Sequence, residues 1–367
     1  MARLIHYDER PVGLRNQTPE SIYGLRVSLR RETYEVPAQL TKALAGRLTG
    51  PFASKYLVRM QAERAVNIIE SGDVAPDAIY TRHPVVASRL LSRLPSTYAS
   101  ALCVEIHSLP ERMTQFQRDV AILKRLPKIV SITGAMKERL VSAGVEKEKI
   151  LVAHDAVDDE LFAGPGDQAE SRRKLELPSV GRNICFVGRF EQMGKEKGIA
   201  QIISSASYLF KRYSDIYFTL VGGPESEIPR YKKLVSELGL PNDRFIFPGY
   251  RPIHEIEAYL AAADVLLMPT PFTYQYAFNT SPLKLFQYLT AGRPIVASDL
   301  PAVREVVGDN CAALLPEPGN ALALAEAIEK VLTDDDLARK LSVRAVELSK
   351  KYTWRTRARS IIDFLDA

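Results

Sequence analysis

Short apolar runs alternate with stretches in which apolar positions recur every three or four residues, and this alternation governs the chain from residue 64 onward. The runs predict strands over 78–80, 101–106 and 129–132, with helices over 84–94 and 119–126 between them. A second series predicts strands over 184–187, 217–221, 245–247 and 265–268, separated by helices over 198–213, 229–238 and 254–263. Strands alternating with amphipathic helices imply a parallel sheet, and two such series imply two doubly wound α/β sheets. Between them, FAGPGDQAESRRKLELPSVGR over 162–182 is rich in Gly, Pro and charge, as a domain boundary crossing solvent would be. The first 60 residues fit this alternation poorly. They offer one short strand at 4–6 and then a polar loop, so the first sheet is expected to lack its opening β-α unit and to expose an unpaired edge unless something covers it.

The most informative stretch is 278–298, FNTSPLKLFQYLTAGRPIVAS. An irregular polar loop runs into a helix, stops at Gly292 and resumes as an apolar strand at 294–297. The first N–H groups of a helix have no intrahelical partners and lie at the positive end of its dipole, so such an end is suited to phosphate. Thr280 or Ser281 is expected to cap the helix, Pro282 to sit in its first turn, and Lys284 to add a mobile positive charge beside it. Taken alone, the loop reads equally well as an ordinary αβ unit without a ligand.

Two further strand ends carry related chemistry. Gly188 and Arg189 follow the strand at 184–187, and the loop after them supplies Lys195 and Lys197. Gly222 and Gly223 follow the strand at 217–221. Ligands bind outside the carboxyl ends of strands in open α/β sheets, so Arg189 and Lys197 are placed to grip a diphosphate from the side opposite the Pro282 helix end.

The 367 residues are ordinary globular material, 46% hydrophobic and 25% charged. The net charge of +5 and interspersed acids give no case for nucleic acid. Residues 1–60 nevertheless carry 10 Lys or Arg against 5 Asp or Glu, and the stretch 26–59 is a candidate for peripheral contact with anionic lipid or a lipid-linked phosphate. No apolar run is long enough to span a bilayer, and MARLIHYDERP lacks the apolar region of a signal peptide, so a cytoplasmic setting, with or without peripheral membrane contact, is expected. Cys103, Cys185 and Cys311 lie far apart in apolar segments and read as core residues, not as a disulfide framework or a metal site. No Gly-x-Gly-x-x-Gly follows a strand with an acid about 20 residues later, which disfavours a dinucleotide oxidoreductase.

In order, FVGRF…KG, FTLVGG, FIFPGY, IEAYLAAADVLLMPT and SPLKLFQYLTAGRPIVASDLPAVREVV resemble family 4 retaining glycosyltransferases of the GT-B fold. The resemblance spans nearly all of 180–340 and continues more loosely upstream through DAIYTRHP, VEIHSLP, IVSITGAMKERLVSAG and EKILVAHDAVDDELF. It implies two Rossmann-like domains facing across a cleft: an acceptor-side domain over 1–165, joined by the final helix at 353–367, and a donor-side domain over 166–352. It implies transfer of a sugar, with retention and without a metal or other cofactor, from a UDP-sugar or GDP-sugar to a saccharide or lipid-linked acceptor. Arg189 and Lys197 occupy the positions that neutralise the donor diphosphate. Gly249, Tyr250 and Arg251 match the loop that holds the base, beside Gly188, Gly222 and Gly223, while Ser281, Pro282, Leu283 and Lys284 form the helix entry.

The resemblance also brings His107 to the position that faces the donor sugar, with Arg82 and His83 lining the same cleft. His154 and Asp155 read as structural groups. Where the family has a pair of glutamates separated by seven residues, this chain has Asn279 and Gln287. Gln287 can keep hydrogen bonds to ribose hydroxyls, whereas Asn279 cannot supply a negative charge. A non-catalytic sugar-nucleotide-binding subunit therefore stands beside the transferase reading.

Overall fold

The computed structural model describes residues 3–6, 30–33, 51–71, 76–192, 194–308 and 312–367, with side chains from residue 59 onward, 61 and 192 excepted. Most of the basic stretch 26–59, Cys311 and the expected gap in the first sheet fall outside these residues. Tertiary contacts divide the chain into two units, Met1–Ile106 with Thr114–Ile129, and His107–Met113 with Val130–Ala367.

In the first unit, strands β1 (Arg3–His6) and β2 (Arg30–Thr33) pair in parallel. A helix unforeseen from the sequence, Pro51–Glu70, buries Ala62, Val66 and Ile68. Strand β3 (Ile79–Thr81) pairs in parallel with β4 (Leu102–Ile106), which is buried along its whole length. Helix Pro84–Arg93 buries Val86, Ala87 and Leu90, one stripe of a 3.6-residue period. His83 caps it, Nδ1 accepting from the Val85 N–H at 3.3 Å, with Pro84 in the first turn. The helix expected at 119–126 runs Met113–Leu123; its first turns show only Phe116 to the core among polar neighbours and so lack the apolar period that marks a helix in the sequence.

The second unit takes up strand β5 (Lys128–Ser131) from Val130 onward, then helix Gly134–Ser142, capped by Thr133, and strand β6 (Ile150–Val152). It contains a five-stranded sheet in the order β11-β10-β7-β12-β13, with β7 at Arg182–Val187, β10 at Ile216–Val221, β11 at Phe245–Gly249, β12 at Val265–Met268 and β13 at Ile295–Ala297. All four pairings are parallel. A two-stranded antiparallel hairpin, β8 (Glu191–Gln192) with β9 (Lys195–Glu196), stands after β7.

Successive side chains along a strand point to opposite faces, and here they feed two cores. Ile184, Phe186, Phe218, Leu220, Val265, Leu267 and Val296 pack beneath helices Ile199–Leu209 and Ala321–Thr333. Cys185, Val187, Val221, Leu266, Met268, Ile295 and Ala297 pack beneath helices Ile253–Ala261, Leu283–Thr290 and Pro301–Val307. Helix Trp354–Asp366 is tied to this unit by a backbone bridge from Val157 to Thr353 and by Arg357 Nε donating to the His154 carbonyl at 2.8 Å. Among the described residues no helix is long and apolar enough to cross a membrane.

Strand order reverses at β7, whose neighbours β10 and β12 lie on opposite sides, and this is the switch point where open α/β sheets form a crevice. Strand β12 pairs with β7 only through Val265–Ile184 and Leu266–Cys185, after which the two separate. The buried Tyr288 hydroxyl fills the gap: it accepts from the Val187 N–H at 2.8 Å and lies 3.2 Å from the carbonyls of both Val187 and Leu267. Tyr288→Phe keeps the ring but leaves the Val187 N–H buried and unpaired, so unfolding free energy should fall by about 1–3 kcal/mol. Urea denaturation checks this, with a lowered midpoint and an unchanged slope expected.

Candidate functional site

Outside the carboxyl ends of β7, β10 and β12 lies a cavity of about 1050 Å³, walled entirely by residues of the second unit. It brings together Gly188, Arg189, Lys197, Gly222, Gly223, Tyr250, Arg251, Ser281, Pro282, Leu283, Lys284 and Gln287. Gly249 stands just behind the wall, its carbonyl accepting from the Gly222 N–H at 2.9 Å. His107 and Asn279 do not line this cavity. Glu191, Glu227 and Tyr276 do, and sequence reasoning missed them because a single carboxylate or tyrosine in a loop carries no pattern.

Glycine is required where the β7 and β10 loops touch. A Cβ on Gly222 would lie 1.8 Å from the Gly188 carbonyl oxygen, and both residues have positive φ, 140° and 144°. This approach carries Arg189 past the end of β10, where the Phe190 N–H bonds to the Gly223 carbonyl at 2.8 Å.

The helix entry differs from the expected capping. Pro282 is itself the N-cap of helix Leu283–Thr290, and no side chain caps it. The Thr280 hydroxyl donates to the Gln275 carbonyl at 2.9 Å, and the Ser281 hydroxyl accepts from the Asp155 N–H at 2.7 Å. Both candidate caps are spent elsewhere, Thr280 on the preceding helix and Ser281 on the distant Asp155, which leaves the positive end of the helix facing the cavity.

Lys284 is not a mobile surface charge. Its Nζ is buried without a hydrogen-bond partner and lies 3.9 Å from the centroid of the Phe186 ring. Burial, with Lys197 nearby, holds its pKa well below the usual lysine range. A Cβ on Gly188 would come within 2.8 Å of this nitrogen, so the glycine also makes room for it. Burial, with Arg189 nearby, lowers the pKa of Lys197 too, and its Nζ stands 5.2 Å from the centroid of the Tyr276 ring. Lys195, the weaker candidate of the two lysines in this loop, is exposed on the hairpin and absent from the cavity wall, whereas Lys197 lines it. Four basic side chains, those of Arg189, Lys197, Arg251 and Lys284, thus stand against the two carboxylates of Glu191 and Glu227 in this wall, a balance that favours anions. At the far side of the cavity Tyr250 is 74% exposed, and Arg251 keeps Nε buried without a partner.

Asn279 is 3% exposed and holds Leu109 by two hydrogen bonds, Oδ1 accepting from its N–H at 3.2 Å and Nδ2 donating to its carbonyl at 3.0 Å. The clamp fixes the segment His107–Met113, which begins with half-buried His107, to the end of helix Tyr274–Phe278. An amide both donates and accepts, whereas an ionised carboxylate only accepts, so this geometry calls for Asn where the resemblance has Glu. His154 contacts Glu305 through Nε2 at 3.2 Å and the Ile132 carbonyl through Nδ1 at 3.1 Å, away from the cavity.

Asn279→Asp turns the donor that faces the Leu109 carbonyl into a buried acceptor. The cost at neutral pH is expected to be about 2–4 kcal/mol. Burial raises the folded pKa of the new carboxyl above its unfolded value, so the folded state binds the proton more tightly, and lowering pH through that raised pKa should restore part of the loss. Denaturant midpoints at pH 7 and pH 5, read against the parent chain, check both magnitude and direction.

Residues 181–334 match the family model described as glycosyl transferases group 1. D-inositol 3-phosphate glycosyltransferase of Corynebacterium urealyticum is 29% identical over 226 residues, 59% of this chain and 51% of the relative. The chain spans about half the length of the curated relatives it matches first. Among solved structures, a glycosyltransferase from Rickettsia africae superposes with a TM-score of 0.74 at 18% identity, covering 98% of this chain and 89% of that one. HepE of Anabaena, solved with UDP and glucose, gives 0.65 at 17% identity, covering 95% and 88%. The chain thus has an α/β fold of the GT-B kind, and residues 181–334 are similar to the glycosyl transferases group 1 family.

Proposed function

We propose that this chain transfers a sugar from a nucleoside diphosphate sugar to a saccharide or lipid-linked acceptor, with retention and without a divalent metal. The observation that carries the reading is the meeting of Arg189, Lys197 and the uncapped N-terminus of helix Leu283–Thr290 on one cavity at the switch point of the sheet. The relatives' printed activities and the fold shared with HepE, solved with UDP and glucose, support a sugar nucleotide as the ligand. In this reading residues 166–352 hold the donor, and residues 1–165 with 353–367 hold the acceptor.

Arg189 and Lys197 flank the diphosphate and the helix end takes its terminal phosphate, so charge that builds as the glycosidic bond breaks meets groups already in place. The bond from the sugar C1 to the phosphate oxygen breaks with its electron pair going to the diphosphate held on this cationic wall; the departing phosphate accepts the proton of the acceptor hydroxyl, whose oxygen bonds to C1 on the same face, which yields retention without a side-chain nucleophile. Gln287 lies in the wall to hydrogen-bond ribose hydroxyls, and Tyr250 and Arg251 border the base, uracil or guanine. The resemblance gives His107, which stands outside this cavity wall, the contact to the transferred sugar.

A second reading, a sugar-nucleotide-binding subunit without turnover, is favoured by one observation: Asn279 is occupied with Leu109 and brings no carboxylate to the cavity. Calorimetric titration with UDP and GDP in EDTA, followed by a turnover assay with the matching sugar nucleotides, separates the two. Binding with turnover that EDTA leaves unchanged is expected, binding without turnover selects the subunit, and no binding overturns both. Arg189→Ala should lower kcat by about 10²- to 10³-fold. An unchanged kcat would remove Arg189 from the reaction.

A further inference from the structure

The cavity wall holds an amine that its own structure leaves unanswered. Lys284 Nζ is buried in the wall, has no hydrogen-bond partner and rests on the Phe186 ring. An isolated buried ammonium is costly, and shedding its proton is the cheaper state. The titratable and charged groups around the same cavity are Arg189 after β7, Glu191 on β8, Lys197 after β9, Glu227, Tyr250, Arg251 and Tyr276. None of the carboxylates pairs with Lys284. Lys197 acts on it with like charge, and Arg189 on Lys197 in turn. The second residue of an uncapped helix thus carries an amine that lacks only an anionic acceptor.

We propose that Lys284 stands as a neutral amine in the free protein and takes up a proton when the diphosphate of the ligand docks at the N-terminus of its helix, so that donor binding and proton uptake are one linked event. The inference rests on the sugar-nucleotide reading above. The proton comes from the buffer: the nitrogen lone pair accepts it, and the phosphate oxygens then supply the hydrogen bonds and opposite charge that the empty wall does not. Loss of the diphosphate product returns the proton to solvent. Since the free amine has the lower pKa and the bound amine the higher, affinity falls as pH rises between the two.

The test is calorimetric titration of the full chain at pH 8 with whichever of UDP and GDP binds better, in phosphate-free buffers of differing ionisation enthalpy. At that pH a terminal phosphate, with its pKa near about 6, is already ionised, so uptake reports on the protein. A net uptake of protons is expected for the parent chain. Lys284→Arg, charged throughout, should bind with the uptake abolished. Lys284→Met should bind about 10- to 100-fold more weakly, also without uptake, and its thermal melt establishes that it folds if the larger guanidinium is not tolerated. Parent-chain binding without uptake at any pH from 7 to 10, or equal uptake in Lys284→Met, overturns the inference and leaves the sugar-nucleotide reading in place. Absence of binding to either nucleotide removes that reading, and the inference with it.

Discussion

The site depends on the place where β7 and β12 stop pairing. A parallel sheet that reverses its strand order must open a crevice there, and the backbone groups lining the opening lose their ladder partners. Here one hydroxyl, that of Tyr288, serves the Val187 N–H and stands against the carbonyls of Val187 and Leu267, so the crevice stays open with that N–H paired. Tyr288 belongs to helix Leu283–Thr290, so the interaction that holds the strands apart also fixes where that helix begins. The positive helix end, the Gly188 turn and Arg189 are thereby set around a single space.

Around that space the polar groups divide into those already satisfied and those that are not. Thr280, Ser281 and Asn279 spend their hydrogen bonds on Gln275, Asp155 and Leu109, bracing the loop that delivers the helix. Lys284 Nζ and Arg251 Nε remain buried without partners, one near the helix end and one where the cavity meets Tyr250. Buried polar atoms are ordinarily paired, and of the five unpaired side-chain atoms among the described residues these two stand in the wall where the proposed ligand brings acceptors.

Most of the second sheet was legible in the sequence, since every strand of it is an apolar run ending near glycine or proline, with alternate residues feeding two cores. The cationic cluster was legible in part: Gly188-Arg189, Lys197 and the Pro282 helix stood out by position relative to strands, but the hairpin that carries Lys195 was not foreseen. Lys284 was read as mobile because sequence gives residue type without burial, and nothing in SPLK announces Phe186 from a distant strand. Asn279 looked like a weakened catalytic position because its partner, Leu109, lies 170 residues away along the chain and offers only backbone. Helix Pro51–Glu70 escaped notice because charged residues interrupt its narrow buried stripe of Ala62, Val66 and Ile68.

The central claim, that this cavity receives a nucleoside diphosphate, is tested most directly by a crystal structure of the chain with UDP or GDP bound. The account predicts the terminal phosphate at the N–H groups of Leu283 and Lys284, with Arg189, Lys197 and Lys284 Nζ within hydrogen-bond distance of phosphate oxygens. A nucleotide bound elsewhere, with Lys284 Nζ still unpartnered on the Phe186 ring, would contradict it.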